Sequence, residues 1–302
     1  MLAFMPLNPA PKFEKHTHHV VPAAWQKRFT SAGDAGPYYR NVITQENLNA
    51  QGPGNKMSEE YAYIVFDEYF RPSDRLEDRL STLEAKAIQG LDRTIATSVI
   101  DALARVDIAY LLAIQACRYP DQFRDRLNLG RYLAIALKHY SSCPDAATLN
   151  KALRSTGMLP GAAITATEFE RLKAASEENL ANELEQILDA HGYEAYFNPE
   201  LIIEAAYPVA MHLLGLEWHL IESVAPAFIL SDRPVPMRIN YGFGIGLSAR
   251  LGLRLSKPTT VLDDLPINAV KASRAEIDAI NQEVRGRARQ WICGPGAFVH
   301  NL

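Results

Sequence analysis

Leu76-Glu-Asp-Arg-Leu80-Ser-Thr-Leu83-Glu-Ala-Lys-Ala87-Ile-Gln-Gly-Leu91-Asp-Arg-Thr-Ile95 marks the point where the hydrophobic period of this chain changes. Leu76, Leu80, Leu83, Ala87, Leu91 and Ile95 recur three and four positions apart, which is the apolar stripe of one long helix. Before this stretch the chain reads as extended and irregular. After it, helical patterning runs to about residue 215 and then gives way to strands.

Going forward, Thr97 or Ser98 can cap the next helix, whose later part, Ile108 to Cys117, is apolar nearly all round and therefore expected to be buried. Arg118-Tyr119-Pro120 should end it, because a residue before proline is pushed out of the helical region. Helices are expected from Gln122 to His139 and from Ala147 to Arg154. Thr167-Glu-Phe-Glu170 has capping-box spacing and should open another, to about Ala190. Asn198-Pro199 predicts one more, running to Leu214 with Pro208 inside it.

Going backward, Tyr38 to Ile43 and Tyr61 to Phe66 are strand-like, while Trp25 and Phe29 sit four apart on one helical turn. At the far end, Glu217–Glu222 and Ala227–Leu230 are expected to pair as a hairpin. Tyr241 to Ser256 alternates glycines with apolar residues, as in twisted, partly exposed strands. Ser273-Arg-Ala-Glu276 is a capping box opening a helix with Ile277, Ile280, Val284 and Ala288 inward, and Arg289 to Cys293 reads as a last strand. A lone hairpin is marginal in water, so the two strand-rich ends should meet. The expected fold is α+β, one domain over 1–302. Its β-rich parts, 1–75 and 216–302, form one sheet around a helical block at 76–215.

The chain of 302 residues, 48% hydrophobic and 22% charged, has the composition of a globular protein with a full core. Net charge is −4, which excludes an obvious polyanion binder, but the charge is uneven. Residues 161–229 carry two basic and twelve acidic side chains, whereas 230–302 carry ten basic and six acidic. Three widely spaced cysteines without a C-x-x-C pair argue against a disulfide framework and for a reducing, cytoplasmic setting. No apolar run approaches the ~20 residues that cross a bilayer, so no membrane is expected as partner.

Lys15-His16-Thr-His18-His19-Val-Val-Pro22 holds three of the eight histidines. In an extended segment His16 and His18 share one face and His19 takes the other. If the ends share a sheet, this stretch lies beside Phe228-Ile-Leu-Ser231-Asp232-Arg-Pro-Val235. His16, His18 and Asp232 would then give two imidazoles and a carboxylate to a divalent metal, with positions open for water and substrate. His19 and Asp232 would be the catalytic groups, with His19 or Glu14 as base. The structural alternative makes the histidines hydrogen-bonded groups and Asp232 a turn residue bonded to backbone amides. His19-Val-Val-Pro22 also resembles the first segment of ββα-metal nucleases. That pattern wants a further metal-binding histidine, yet none occurs between His19 and His139.

His18-His19-Val-Val-Pro22 and Phe228 to Val235 are also the sharpest parts of a wider likeness. With them go the Leu-Glu-Ala-Lys-Ala helix, the Arg-Tyr-Pro helix end, a Gly-Leu-Ser strand and Ile280-Asn281 in the last helix. Together they resemble the bacterial family called domain of unknown function 4238, over nearly the whole chain. The resemblance implies that these segments form one domain, and it implies no activity. Two positions depart from the family pattern: Val20 stands where tyrosine is usual, and Arg233 where asparagine is usual.

Arg250, Arg254, Asn281 and Arg285 are the candidate substrate-binding residues, the arginines for phosphates and Asn281 for a polar ligand group or a loop carbonyl. Two functions stay open at this stage. One is a metal-dependent hydrolase acting on nucleic acid; the other is a non-catalytic binding or interaction protein whose histidines and Asp232 are structural.

Overall fold

The computed structural model describes residues 12, 14, 15, 17–60, 62, 63, 65, 66, 72–119, 145–147, 150, 165–175, 201–236, 239, 242–258 and 265–301. The fold is α+β, with strands at both ends of the chain and helices between them. The chain divides into two compact units. One comprises Met1–His16, Tyr63–Glu77 and Pro120–Glu200; the other comprises Thr17–Ala62, Asp78–Tyr119 and Leu201–Leu302. In the first, the buried carboxylate of Asp74 accepts the Glu14 amide at 2.7 Å, which ties two distant segments of that unit together.

The long stripe forms α2, Arg75–Thr97, following α1, Ala23–Gln26. Leu76, Leu80, Ala87 and Leu91 are all buried, as the periodicity requires. The next helix, α3, spans Ala102–Cys117, and its cap differs from expectation. Ser98 has a positive φ of 54° and leads into a two-residue strand, Val99–Ile100. The cap is therefore Asp101, whose carboxylate accepts the Ala104 amide at 2.7 Å. Helix α4, Ala166–Ala174, also begins out of the expected frame. Thr165 and Glu168 form the reciprocal bonds predicted for Thr167 and Glu170. Helix α5, Leu201–Leu214, contains Pro208. The helices expected at 122–139 and 147–154, the extension of α4 beyond Ala175 and the start at Asn198-Pro199 lie wholly or mostly outside the described residues.

Strands from the two ends do meet in one sheet. With β2 at Tyr38–Asn41, β3 at Asn47–Leu48, β9 at Leu230–Ser231 and β14 at Trp291–Gly294, the order is β3-β2-β14-β9. All its pairings are antiparallel, with Ile292 opposite Arg40 on one side and Ser231 on the other. The histidine stretch is not in that sheet. Its strand β1, Thr17–His19, pairs separately with β4, Ser58–Glu60. This also corrects the strand expected at Tyr61 to Phe66: pairing stops at Glu60, Ala62 and Tyr63 turn, and Val65–Phe66 starts a new strand.

The expected hairpin of Glu217–Glu222 with Ala227–Leu230 does not form. The first segment is β8, which pairs with β11 (Leu251–Ser256) and β13 (Val270–Lys271) in a second four-stranded sheet completed by β10, Gly242–Gly246. The second segment is diverted because the Ala227 and Phe228 amides both donate to the Ala249 carbonyl. Nor are β10 and β11 half-exposed. Glycines there remove side chains where apolar groups press on the sheet: a Cβ on Gly244 would lie 2.6 Å from Ile280 Cγ1, and one on Gly246 would lie 2.8 Å from the Phe29 ring. Helix α6, Arg274–Arg287, covers β10 with Ile277, Ile280 and Val284 and carries the predicted Ser273–Glu276 capping box. A short helix, α7 at Gly296–Val299, ends the fold.

The N-terminal segment is anchored in this core. Trp25 and Phe29 are both fully buried. Trp25 Nε1 donates to the Leu247 carbonyl at 3.1 Å, Tyr39 Oη donates to Gln26 Oε1 at 2.9 Å, and Gln26 Nε2 donates to the Val21 carbonyl at 2.8 Å. Burying each large aromatic contributes roughly 1.5–3 kcal/mol, and these bonds satisfy the polar atoms enclosed with them. Among the described residues no helix is long and apolar enough to cross a membrane.

Candidate functional site

His18, His19, Asp232, Arg250, Arg254, Asn281 and Arg285 all lie in the larger unit; His16 is outside the described residues. The two expected halves of the site are joined by one intermediate pair. In the β1–β4 ladder His18 stands directly opposite Glu59, so their side chains leave on the same face. Glu59 Oε1 lies 3.7 Å from Arg289 Nη1. Arg289 opens the turn between α6 and β14, and its own amide donates to Asp232 Oδ1 at 2.8 Å. Beside this link, the Lys56 ammonium sits 5.5 Å from the Trp291 ring centre.

Asp232 is committed to the backbone. Besides Arg289, the amides of Gln290 and Trp291 donate to its Oδ2 at 2.7 and 3.0 Å, while its own amide donates to the Trp291 carbonyl at 2.9 Å. Three of its roughly four lone-pair positions thus point at main-chain donors. Burial pushes its carboxyl above the ordinary range; those three amides, and the charge of Arg233, pull the other way. Next to it, Ser231 Oγ is buried with no hydrogen-bond partner among the described residues.

His18 is fully buried. His19, on the other face of β1, is half-buried, and its Nδ1 is enclosed without a hydrogen-bond partner among the described residues. Burial, and then the positive charge of Arg118, hold its pKa below the ordinary 6.5, against the Lys56 backbone, so its imidazole is neutral at pH 7. Arg118 was legible in the sequence only as a helix end. It is in fact a buried clamp, donating from Nη2 to the His19 carbonyl and from Nη1 to Glu84. Beside it, Gln115 Nε2 donates to the Val20 carbonyl at 2.7 Å. Tyr119 was missed as well. Its hydroxyl donates to the Val235 carbonyl and accepts the Val235 amide, its ring lies 5.5 Å from the Arg233 guanidinium, and burial raises its pKa well above the ordinary range. The one signal at both positions was Arg118-Tyr119-Pro120 as a segment of the family resemblance, which assigns neither residue a contact.

Of the expected substrate-binding residues, Asn281 and Arg285 line one groove beside α6, while Arg250 and Arg254 are engaged elsewhere. Asn281 is buried on the inner face of α6, where Oδ1 accepts the Ile229 amide at 3.2 Å and Nδ2 donates to the Ala227 carbonyl at 2.8 Å. Arg250 donates to the Val224 carbonyl, and Arg254 is paired with Glu283. Arg285 is exposed, and no hydrogen bond or ion pair engages its guanidinium among the described residues; it lines an open groove of about 560 Å³ beside α6 and α7. Among the described residues no group of three or more His, Cys, Asp or Glu side chains is arranged to hold a metal ion.

No curated protein and no solved structure matches the chain. The model of a protein of unknown function (DUF4238) matches residues 17–294. That span runs from the histidine strand β1 through the Asp232 clamp to the end of β14, and so takes in every described candidate residue. The chain belongs to the DUF4238 family.

Proposed function

We propose that this chain is a non-catalytic binding protein in a reducing, cytoplasmic setting, in which His18, His19 and Asp232 brace the fold. The observation that carries the reading is the occupation of Asp232 by the amides of residues 289–291. A carboxylate engaged this way has little capacity left for a metal or a proton in flight. His18, sealed from solvent, likewise supports a structural role. The cytoplasmic setting is supported by Cys117 and Cys293, both free thiols, with burial raising Cys117 to about 11 and Cys293 well above its ordinary value.

A second reading, a divalent-metal hydrolase acting on nucleic acid, draws on His19. Its neutral imidazole with an unpartnered Nδ1 has the lone pair that a ligand or base needs. Thermal melts separate the two. A metal bound to the native state at a hundred times its Kd stabilises by about 2.7 kcal/mol. We expect Zn²⁺, Mn²⁺ and Mg²⁺ to leave the melting temperature of the purified chain unchanged. A rise with any of them, abolished in both Asp232→Asn and His19→Gln and accompanied by metal-dependent cleavage of nucleic acid, would establish the hydrolase reading instead.

A further inference from the structure

The groove beside α6 holds two side chains, those of Gln282 and Arg285, that the fold leaves unused among the described residues. Arg274, Asp278, Gln282 and Arg285 line it from α6, and Phe298 and Asn301 from the chain end. Its volume of about 560 Å³ falls within the 300–1,000 Å³ typical of small-ligand pockets. Arg274 and Arg285 are eleven positions apart, about 16 Å along the helix. At one end Arg274 is neutralised by Asp278 at 2.9 Å, and its guanidinium stacks 5.0 Å from the centre of the Phe298 ring. Asn301 is half-engaged, its Nδ2 donating to the Ala297 carbonyl at 2.7 Å. Gln282 and Arg285, three apart on one exposed face, have no hydrogen bond to either side chain among the described residues.

We infer that this groove binds a nucleotide unit, free or within a single strand. This rests on the reading of the chain as a binding protein. Each part of a nucleotide has a counterpart here. A base has a π-face for the Phe298 ring and a donor–acceptor edge that a carboxamide, that of Gln282, can match. The phosphate has Arg285, whose charge no carboxylate offsets among the described residues that line the groove. An acidic peptide would use Arg285 equally but would leave the ring and the carboxamide without a function.

The test is calorimetric titration of the full chain with the four ribonucleoside monophosphates, with inorganic phosphate, and with a short single-stranded RNA. At least one monophosphate should bind. Arg285→Gln and Phe298→Ala should each weaken it about tenfold, and Gln282→Ala should change the preference among bases. Arg285 and Gln282 are exposed, so melts of those two variants should match the parent. RNA binding much tighter than any monophosphate identifies a strand as the natural source; equal affinity identifies the free nucleotide. Phosphate binding as well as the nucleotides, absence of nucleotide binding at millimolar concentration, or binding unaltered by Arg285→Gln and Gln282→Ala would overturn the assignment. Chromatography of the recovered ligand keeps the two readings apart: cleaved nucleotide would refute the non-catalytic function and leave the groove assignment standing.

Discussion

Asp232 illustrates what a residue type can and cannot disclose. Its position after a buried strand was legible, and a turn or cap bonded to amides was one of its two expected roles. The donors were not legible, since they come from 289–291, almost sixty positions away. Removing the carboxylate leaves three amides without acceptors, so Asp232→Ala should cost about 3 kcal/mol, read as a lower urea midpoint at unchanged slope. Asp232→Asn should recover little, because one acceptor becomes an NH₂ facing amide donors. A loss below about 0.5 kcal/mol for the alanine variant would show that the clamp is dispensable. Asn281 was read more fully: a buried amide on the apolar helix face, suited to holding a loop carbonyl, and it holds that of Ala227.

At the scale of elements, long periodic segments were legible and short paired ones were not. Helix α2 appears within two residues of where its leucine stripe placed it, because that stripe is a local property. Strands of two or three residues, such as β1, β3 and β9, carry too little alternation to reveal a partner; their pairing is decided by distant backbone groups. The hairpin that failed at 217–230 is one instance. Glycine positions give a test of helix packing. Gly90 lies in α2, where a Cβ would come within 2.4 Å of Asp107 Cβ on α3, the residue whose carboxylate receives Arg93 at 2.8 Å. Gly286, on the outer face of α6, has open space around it. Alanine is favoured over glycine in a helix interior by about 1 kcal/mol. Gly286 lies in the last turn of α6, so Gly286→Ala should stabilise by at most about 0.5 kcal/mol, whereas Gly90→Ala should destabilise by about 2 kcal/mol as α2 and α3 are forced apart. Equal effects in chemical denaturation would mean that the helices slide without cost.

For the whole molecule, the meeting of the chain's ends in the β3-β2-β14-β9 sheet followed from the need to cover strand-rich segments. What did not follow was the separate placing of the histidine strand, which rests on its ladder to Ser58–Glu60 and on the clamp from Arg118. That placing gives the molecule an acid sensitivity. Folding pulls the pKa of His19 below 6.5, because burial and the Arg118 charge disfavour the imidazolium; Glu84, paired with Arg118, offsets part of that charge. Well above pH 6.5 both folded and unfolded chains carry His19 neutral, and its contribution is intact. As pH falls below 6.5 the unfolded chain takes up the proton first, so stability declines until the pH has passed the lowered folded value. His19→Gln removes the group and should flatten the decline between pH 6.5 and 5, a window above the ordinary titration of most carboxylates. Urea denaturation of both proteins at pH 7.5, 6.5, 5.5 and 5.0 measures it. If the two curves fall in parallel, the imidazole at position 19 bears its charge as easily inside the fold as outside, and the β1–Arg118 contact is not what makes this molecule sensitive to acid.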